Sequence, residues 1–243
     1  MTLANVKEPN FTSVTNEPLK VKRTSLTSKE ALILADIYQE ETNIVTWQRD
    51  LPASLKNSIN NFLISNPTFK SNLTVTPQNV RSCLTKELCY KSPHPQGLSS
   101  KESSAEQPEL VENIAELVEM FCCLFEISHA GLRLTTLDRA MCPKFHVDRV
   151  PCRLVTTYQG IGTEWLHHQA VDHAKLGLGS KGLPDSESGL YQYQNDIQQL
   201  NCGDVALLKG ETWHKNDGAG LVHRSPALPA NENRLLLTLD FAV

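Results

Sequence analysis

The chain has 243 residues, of which 40% are hydrophobic, so it is long enough for one large domain with a substantial core. Its 23 Lys and Arg against 27 Asp and Glu give a formal net charge of -4, and no basic cluster favours a nucleic-acid partner. No stretch suggests a membrane span, and residues 1–23 lack the apolar run of a secretory signal. The seven Cys are irregularly spaced, which favours free thiols in a reducing cytoplasm.

The first part of the chain is predicted to be mainly helical. Residues 1–27 are polar and aperiodic, so we expect a flexible N-terminal arm. Ile44–Trp47 is a candidate strand, and the Ser-, Pro- and Glu-rich stretch 82–107 predicts a loop. Apolar residues recur at helical spacing in three stretches, the last being the clearest: 31–38, 52–66 and 108–125.

After Ser128 the pattern changes to short strands separated by turns. The polar stretch 167–199 interrupts them and is expected to be an insertion. Helices followed by strands predict an α+β domain over 28–243, with a helical buttress at 28–128 and a strand core at 129–243 that forms an antiparallel barrel or sandwich. The predicted strands are Leu132–Leu137, Leu154–Tyr158, Thr163–Leu166, Asp204–Lys209, Leu221–His223 and Arg234–Phe241.

Two imidazoles and one carboxylate in this strand region predict a metal site. His146 and Asp148 are two residues apart, so an extended chain points both side chains to the same face. His223 would approach from another strand. Such a set covers one side of an ion and leaves the other side open, as in non-haem Fe(II) sites. Arg234, on the last predicted strand, could hold the carboxylate of an organic co-substrate; the alternative is pairing with a surface Glu.

Other residues leave the identity and role of the metal open. Cys142 lies four residues before His146, and a mixed Cys, His and Asp set suits Zn²⁺ as well as Fe(II). With Cys142 as a further ligand, the site would be structural or a zinc carrier rather than catalytic. Trp165, together with Phe145, is expected to wall the pocket, and His214 is a candidate for supporting a ligand or contacting substrate.

The order of these residues resembles that of the Fe(II)/2-oxoglutarate-dependent oxygenases over about residues 130–243. The resemblance implies a double-stranded β-helix core of the jelly-roll or cupin type, buttressed by the N-terminal helices. It also implies Fe(II) held by His146, Asp148 and His223, and 2-oxoglutarate held through its C5 carboxylate by Arg234.

A second resemblance, to the bacterial domain-of-unknown-function family 1826, spans about residues 35–242. The family has no established activity, and its association with zinc-limitation gene sets implies a link to metal homeostasis. The segments that carry this resemblance are Ile44–Arg49, Cys142–Asp148, Gly162–Leu166, Gly203–Gly210 and Leu221–Pro226.

The leading hypothesis is therefore a cytoplasmic Fe(II)/2-oxoglutarate-dependent oxygenase whose partners are 2-oxoglutarate and a small-molecule substrate. One alternative is a non-enzymatic zinc-binding protein that uses the same three ligands with Cys142. Another is a cupin-like barrel that binds a small molecule without a metal.

Overall fold

Two β-sheets and three α-helices make up the fold in the computed structural model, which describes residues 22–90 and 107–242. The helices are α1 (Ala53–Ser65), α2 (Val80–Tyr90) and α3 (Pro108–Leu124), and Ala31–Tyr38 forms a 3₁₀ helix. The strands are β1 (Thr24–Ser28), β2 (Thr42–Trp47), β3 (Lys70–Val75), β4 (Ala130–Leu137), β5 (Cys152–Gln159), β6 (Glu164–Leu166), β7 (Ile197–Gln199), β8 (Val205–Lys209), β9 (His223–Arg224) and β10 (Arg234–Phe241).

The larger sheet has seven strands in the order β1-β2-β8-β5-β10-β4-β3. All neighbours in it are antiparallel except β1 and β2. The smaller sheet has three antiparallel strands in the order β7-β6-β9. From β4 onward the chain passes repeatedly between the two sheets. The prediction of a mixed α+β fold built on a large antiparallel sheet is confirmed.

The two faces of the large sheet pack against different partners, as strand alternation requires. On β10, Leu235, Leu237 and Leu239 belong to the main apolar cluster, which also contains the buried residues of α1 and α3. Leu236 points the other way, into a smaller cluster between the sheets with Val155. The helices therefore cover one face, and the opposite face is left to line a cavity.

Two predictions about the N-terminal part need correction. Residues 24–27, assigned to the flexible arm, lie in β1, and residues 1–21 are outside the described residues. The helical buttress 28–128 also contains β2 and β3, which are strands of the large sheet. β3 was missed because its sequence, Lys70–Val75, is mostly polar and its buried side alternates between Ser71 and Val75 with only partly buried Leu73 between them.

The loop predicted over 82–107 is wrong for its first part, because α2 extends to Tyr90. Thr76 and Asn79 cap this helix reciprocally, each side chain accepting a hydrogen bond from the other's backbone N–H. Its buried residues recur every four positions, at Val80, Leu84 and Leu88, which is the helical signal. Residues 91–106 lie outside the described residues.

In the part of the chain that is described, no helix has the length and apolarity needed to cross a bilayer.

Candidate metal centre

A single backbone bridge brings the two predicted histidine ligands together. His146 and His223 exchange backbone hydrogen bonds in both directions, each 3.0 Å long, so they form an isolated antiparallel pair at the edge of the small sheet. The two ring centroids are 4.7 Å apart. The segment around His146 is extended but not a regular strand, and it still places Asp148 on the same side as its own imidazole.

The three side chains converge on one point. Asp148 Oδ1 lies 3.5 Å from Nε2 of His146, and Asp148 Oδ2 lies 3.3 Å from Nε2 of His223. One potential ligand atom from each residue falls within 4.8 Å of the other two. Ligands that bind a small divalent ion at right angles are about 3 Å apart, since each bond is about 2.1 Å long. A small inward adjustment of the side chains would therefore close the triad around an ion.

Both imidazoles are oriented by backbone carbonyls. His146 Nδ1 lies 2.9 Å from the carbonyl of Lys144, and His223 Nδ1 lies 3.1 Å from the carbonyl of Leu221. A carbonyl only accepts, so these contacts assign a proton to Nδ1 of each ring, and in the neutral ring the Nε2 lone pair is left for a metal. This arrangement is typical of the outer shell of a metal-binding histidine.

Arg153 holds the carboxylate of Asp148 in place through an ion pair. Arg153 donates to Asp148 Oδ2 at 2.6 Å and makes a bidentate pair with Asp240 at 2.7 and 3.0 Å. Burial raises the pKa of Asp148, but hydrogen bonds that Nε2 of each histidine donates in the protonated ring, together with the nearby Arg153 charge, outweigh it and hold that pKa below its usual range. The hydrogen bond to Asp148 favours the protonated form of His146 and so raises its pKa, against the opposing effect of burial. Asp148 is therefore an anion at neutral pH.

Arg234 is a buried cation without an acidic partner among the described residues. Only 1% of it is exposed, and its guanidinium donates to the hydroxyls of Thr157 and Thr163 at 2.7 to 3.2 Å. Burial lowers the pKa of Arg234 to about 10, so it is still charged at neutral pH. An unpaired buried charge is costly, and a ligand carboxylate is the natural group to compensate it.

A cavity of about 80 Å³ joins these groups. His146, His223 and Arg234 all line it, with Thr163 and Arg153 beside them. The cavity lies between the sheets, at the end where β10 begins and β9 meets His146. The structure thus brings together all four of the residues selected from sequence.

The additional candidates are placed differently. Cys142 lines the same cavity, but its thiol is outside the cluster of three ligand atoms. Trp165 does not line the cavity and instead packs edge-on to the His167 ring. Phe145 is buried beneath the guanidinium of Arg224. His214 is exposed, away from the cavity lining.

Sequence reasoning missed the two threonines that hold Arg234. Thr157 lies on β5, and Thr163 follows a Gly-rich turn before β6. A side chain at Gly162 would overlap the backbone carbonyl of Leu200, so the glycine permits the close approach that fixes Thr163. The turn was visible in the sequence, but nothing in its pattern pointed to Arg234.

Comparisons with known proteins give one family and several distant structures. The model of the family described as Protein of unknown function (DUF1826) matches residues 28–240. No curated protein matches the chain. A rice dioxygenase for auxin oxidation is 10% identical, with a TM-score of 0.44, over 82% of this chain and 72% of that one. A Pseudomonas putida prolyl-4-hydroxylase is 9% identical, with a TM-score of 0.40, over 87% and 98%. A Neurospora crassa protein in complex with alpha-KG is 11% identical, with a TM-score of 0.40, over 82% and 72%.

Proposed function

The chain belongs to the DUF1826 family, matched over residues 28–240, and we propose that it is an oxygenase that uses Fe(II) and 2-oxoglutarate to oxidise a small molecule. One observation carries the proposal. The unpaired, buried guanidinium of Arg234 lines the same small cavity as His146 and His223, which cluster with Asp148. An organic acid that chelates a metal at one end and carries a carboxylate at the other would bind the three-ligand metal site and the Arg234 cation at the same time.

The donor set fits Fe(II). Two neutral imidazoles and one carboxylate are the ligands of a facial triad, which leaves positions on the metal for other molecules. Bound there, Fe(II) with 2-oxoglutarate and O₂ would supply the oxidising chemistry. His146, Asp148 and His223 would hold the ion, and Arg153 would keep one Asp148 oxygen occupied so that the other faces the metal.

Arg234 and Thr163 would bind the far carboxylate of 2-oxoglutarate. The Thr163 hydroxyl accepts a hydrogen bond from Arg234 at 2.7 Å, so its own proton is free to donate into the cavity. Arg234 Nη1 makes no hydrogen bond to the described residues, which leaves it available to the same ligand. Both donors then converge on one carboxylate.

The strand arrangement supports a double-stranded β-helix as the scaffold. A jelly roll consists of two antiparallel sheets between which the chain alternates. Here β4, β5, β8 and β10 lie in the large sheet, and the His146 bridge, β6, β7 and β9 lie in the small one. On this scaffold 28–243 would be one domain, and the insertion predicted over 167–199 would begin after β6 and end with β7, which is itself a strand of the small sheet.

Anaerobic titration of the untagged full-length protein tests the proposal. Fe(II) followed by 2-oxoglutarate should give a weak charge-transfer absorption band, which His146→Ala and Arg234→Gln should abolish. Arg139→Gln is the control, because that side chain is 87% exposed and should leave the band intact.

Two other results would replace the oxygenase proposal. If the protein binds Zn²⁺ tightly, gives no band with Fe(II), and loses Zn²⁺ on Cys142→Ser, it is a zinc-binding protein. If neither metal binds, it is a small-molecule-binding barrel of the cupin type.

A further inference from the structure

A second, larger groove opens beside the metal cavity. Its volume is about 670 Å³. The loop 138–141 and strands β3 and β4 contribute its lining. Arg133, Thr135 and Met141 line both the groove and the metal cavity. A molecule in the groove would therefore lie next to the space that the metal ligands enclose.

The strand register shows that the groove continues the cavity face of the large sheet. Arg133 pairs with Thr238 of β10 on one side and with Asn72 of β3 on the other. Thr135 pairs in the same way with Leu236 and Lys70. Directly paired residues point to the same face of a sheet. β3 and β4 thus extend the floor of the cavity outward to the edge of the fold.

Arg133, which lines both the groove and the metal cavity, has only a weak internal partner. Its closest acidic atom is Asp240 Oδ2 at 3.7 Å, and both oxygens of Asp240 already accept shorter hydrogen bonds from Arg153. Across the described residues the Arg133 guanidinium makes no side-chain hydrogen bond, and 54% of its side chain is exposed. Arg224, which also lines the cavity, is by contrast held by Glu164 and Asp185. Arg133 can therefore turn its donors to a ligand without breaking a strong contact.

The rest of the groove suits an organic anion. Arg139 adds a second guanidinium, which has only an exposed contact of 4.0 Å with Asp138. Leu137 and Met141 supply apolar surface beside these charges. We propose that the groove binds a substrate whose carboxylate or phosphate is held by Arg133 and whose apolar body lies along Leu137 and Met141. The proposal rests on the proposed function only in taking this ligand as the molecule that is oxidised.

Ligand-observed saturation-transfer NMR tests the binding without requiring a metal. The probes are hexanoate, hexylphosphonate and uncharged hexanol, each titrated into the full-length protein. We expect saturable binding of at least one acid and none of hexanol, and the acid that binds more tightly identifies the anionic group. Arg133→Gln should weaken that acid by about tenfold, since it removes a charge-assisted hydrogen-bond partner. Arg139→Gln, which removes the same charge farther out, should weaken it less.

A relaxation measurement then locates the site. With Mn(II) and 2-oxoglutarate bound, the protons of the bound acid should relax faster than those of the same acid on the metal-free protein. Equal binding to wild type and Arg133→Gln, or hexanol binding as well as the acids, would overturn the proposal. Failure of Mn(II) to bind would instead count against the proposed function, because the saturation-transfer titrations would still decide whether the groove binds anions.

Discussion

The two faces of the large sheet differ in kind, and β10 displays both. Toward the helices it presents Leu235, Leu237 and Leu239, each with no exposed surface. On the opposite face the same strand presents the buried charges Arg234 and Asp240. Arg234, Leu236 and Thr238 of this face line the cavity. Residues one position apart on this strand therefore meet opposite environments.

The helix face of the large sheet mainly stabilises the fold, whereas the cavity face carries the groups that can bind a ligand. On the helix face, close-packed apolar side chains need no specific partners, so burial itself stabilises the fold. On the cavity face each buried charge needs a particular partner: Asp240 has Arg153, whereas Arg234 has only two hydroxyls. The cavity face, where Arg234 has no acidic partner among the described residues, is therefore the face on which we expect a ligand to bind.

The largest expected effect is a loss of stability from a substitution on the helix face. Leu237→Ala should lower the free energy of unfolding by about 2–5 kcal/mol, because it leaves a cavity in the core. Thr238→Ala, the neighbouring change on the cavity face, should cost far less. Urea denaturation of both variants measures the difference, and equal losses would show that the two faces do not divide as described.

The next effect is loss of ligand binding without loss of stability. Arg234→Met should weaken 2-oxoglutarate by about 100-fold or more, because it removes charge-assisted hydrogen bonds to a carboxylate. Its unliganded stability should stay near that of wild type, since the variant no longer buries an unpaired charge.

Thermal unfolding with Mn(II) and saturating 2-oxoglutarate checks this prediction. Wild type should be stabilised by about 2.7 kcal/mol at 100 times the dissociation constant, and the variant hardly at all. A strong loss of unliganded stability in Arg234→Met would mean that Arg234 is structural.

A smaller effect should follow from loosening Asp148. Arg153→Gln should weaken Mn(II) binding by about 10–100-fold, the usual effect of removing a group that orients a metal ligand. Arg133→Gln is the matched control, since Arg133 contacts Asp240 but not Asp148. Equilibrium dialysis of Mn(II) measures both, and an unchanged affinity in Arg153→Gln would remove its proposed positioning role.

The smallest expected effect is a change of stability with pH. It comes from Lys209, a charged residue on the same face of β8 as the core residues Val205 and Leu207. Lys209 is buried, donates to the Gln39 carbonyl at 2.7 Å and lies over the Trp213 ring. Burial, with nearby Arg23, lowers the pKa of Lys209 to about 8. Since the unfolded pKa is higher, the unfolded state binds more protons between these values, and stability from this group should rise as the pH increases from 8 to 10.

Lys209→Met isolates this contribution. The difference in unfolding free energy between wild type and the variant, from urea denaturation, should shift in favour of wild type as the pH is raised from 8 to 10. A difference that does not change with pH would show that Lys209 keeps its ordinary pKa when folded.

Prediction from sequence succeeded where a short pattern carries the information. The i, i+2 spacing of His146 and Asp148 and the apolar stripe of α3 are properties of single segments. The course of α2 was missed although Val80, Leu84 and Leu88 carry a helical repeat, because the Ser- and Pro-rich residues that follow dominated the interpretation. The double pairing of Arg153 with Asp148 and Asp240 is not a property of one segment, because Asp240 lies 87 residues away in the chain.

By itself the sequence determined the local propensities, the types of side chain available and the order in which they occur. Only the tertiary structure decided which of them meet. Arg234 and Thr157 are 77 residues apart in the chain, and the pairing of β10 with β5 makes them neighbours. Cys142 and His214 show the converse, because residues of the right chemical type near the site in sequence stay outside the ligand cluster. Strand register is set by long-range packing of whole faces, and no short window of sequence contains that information.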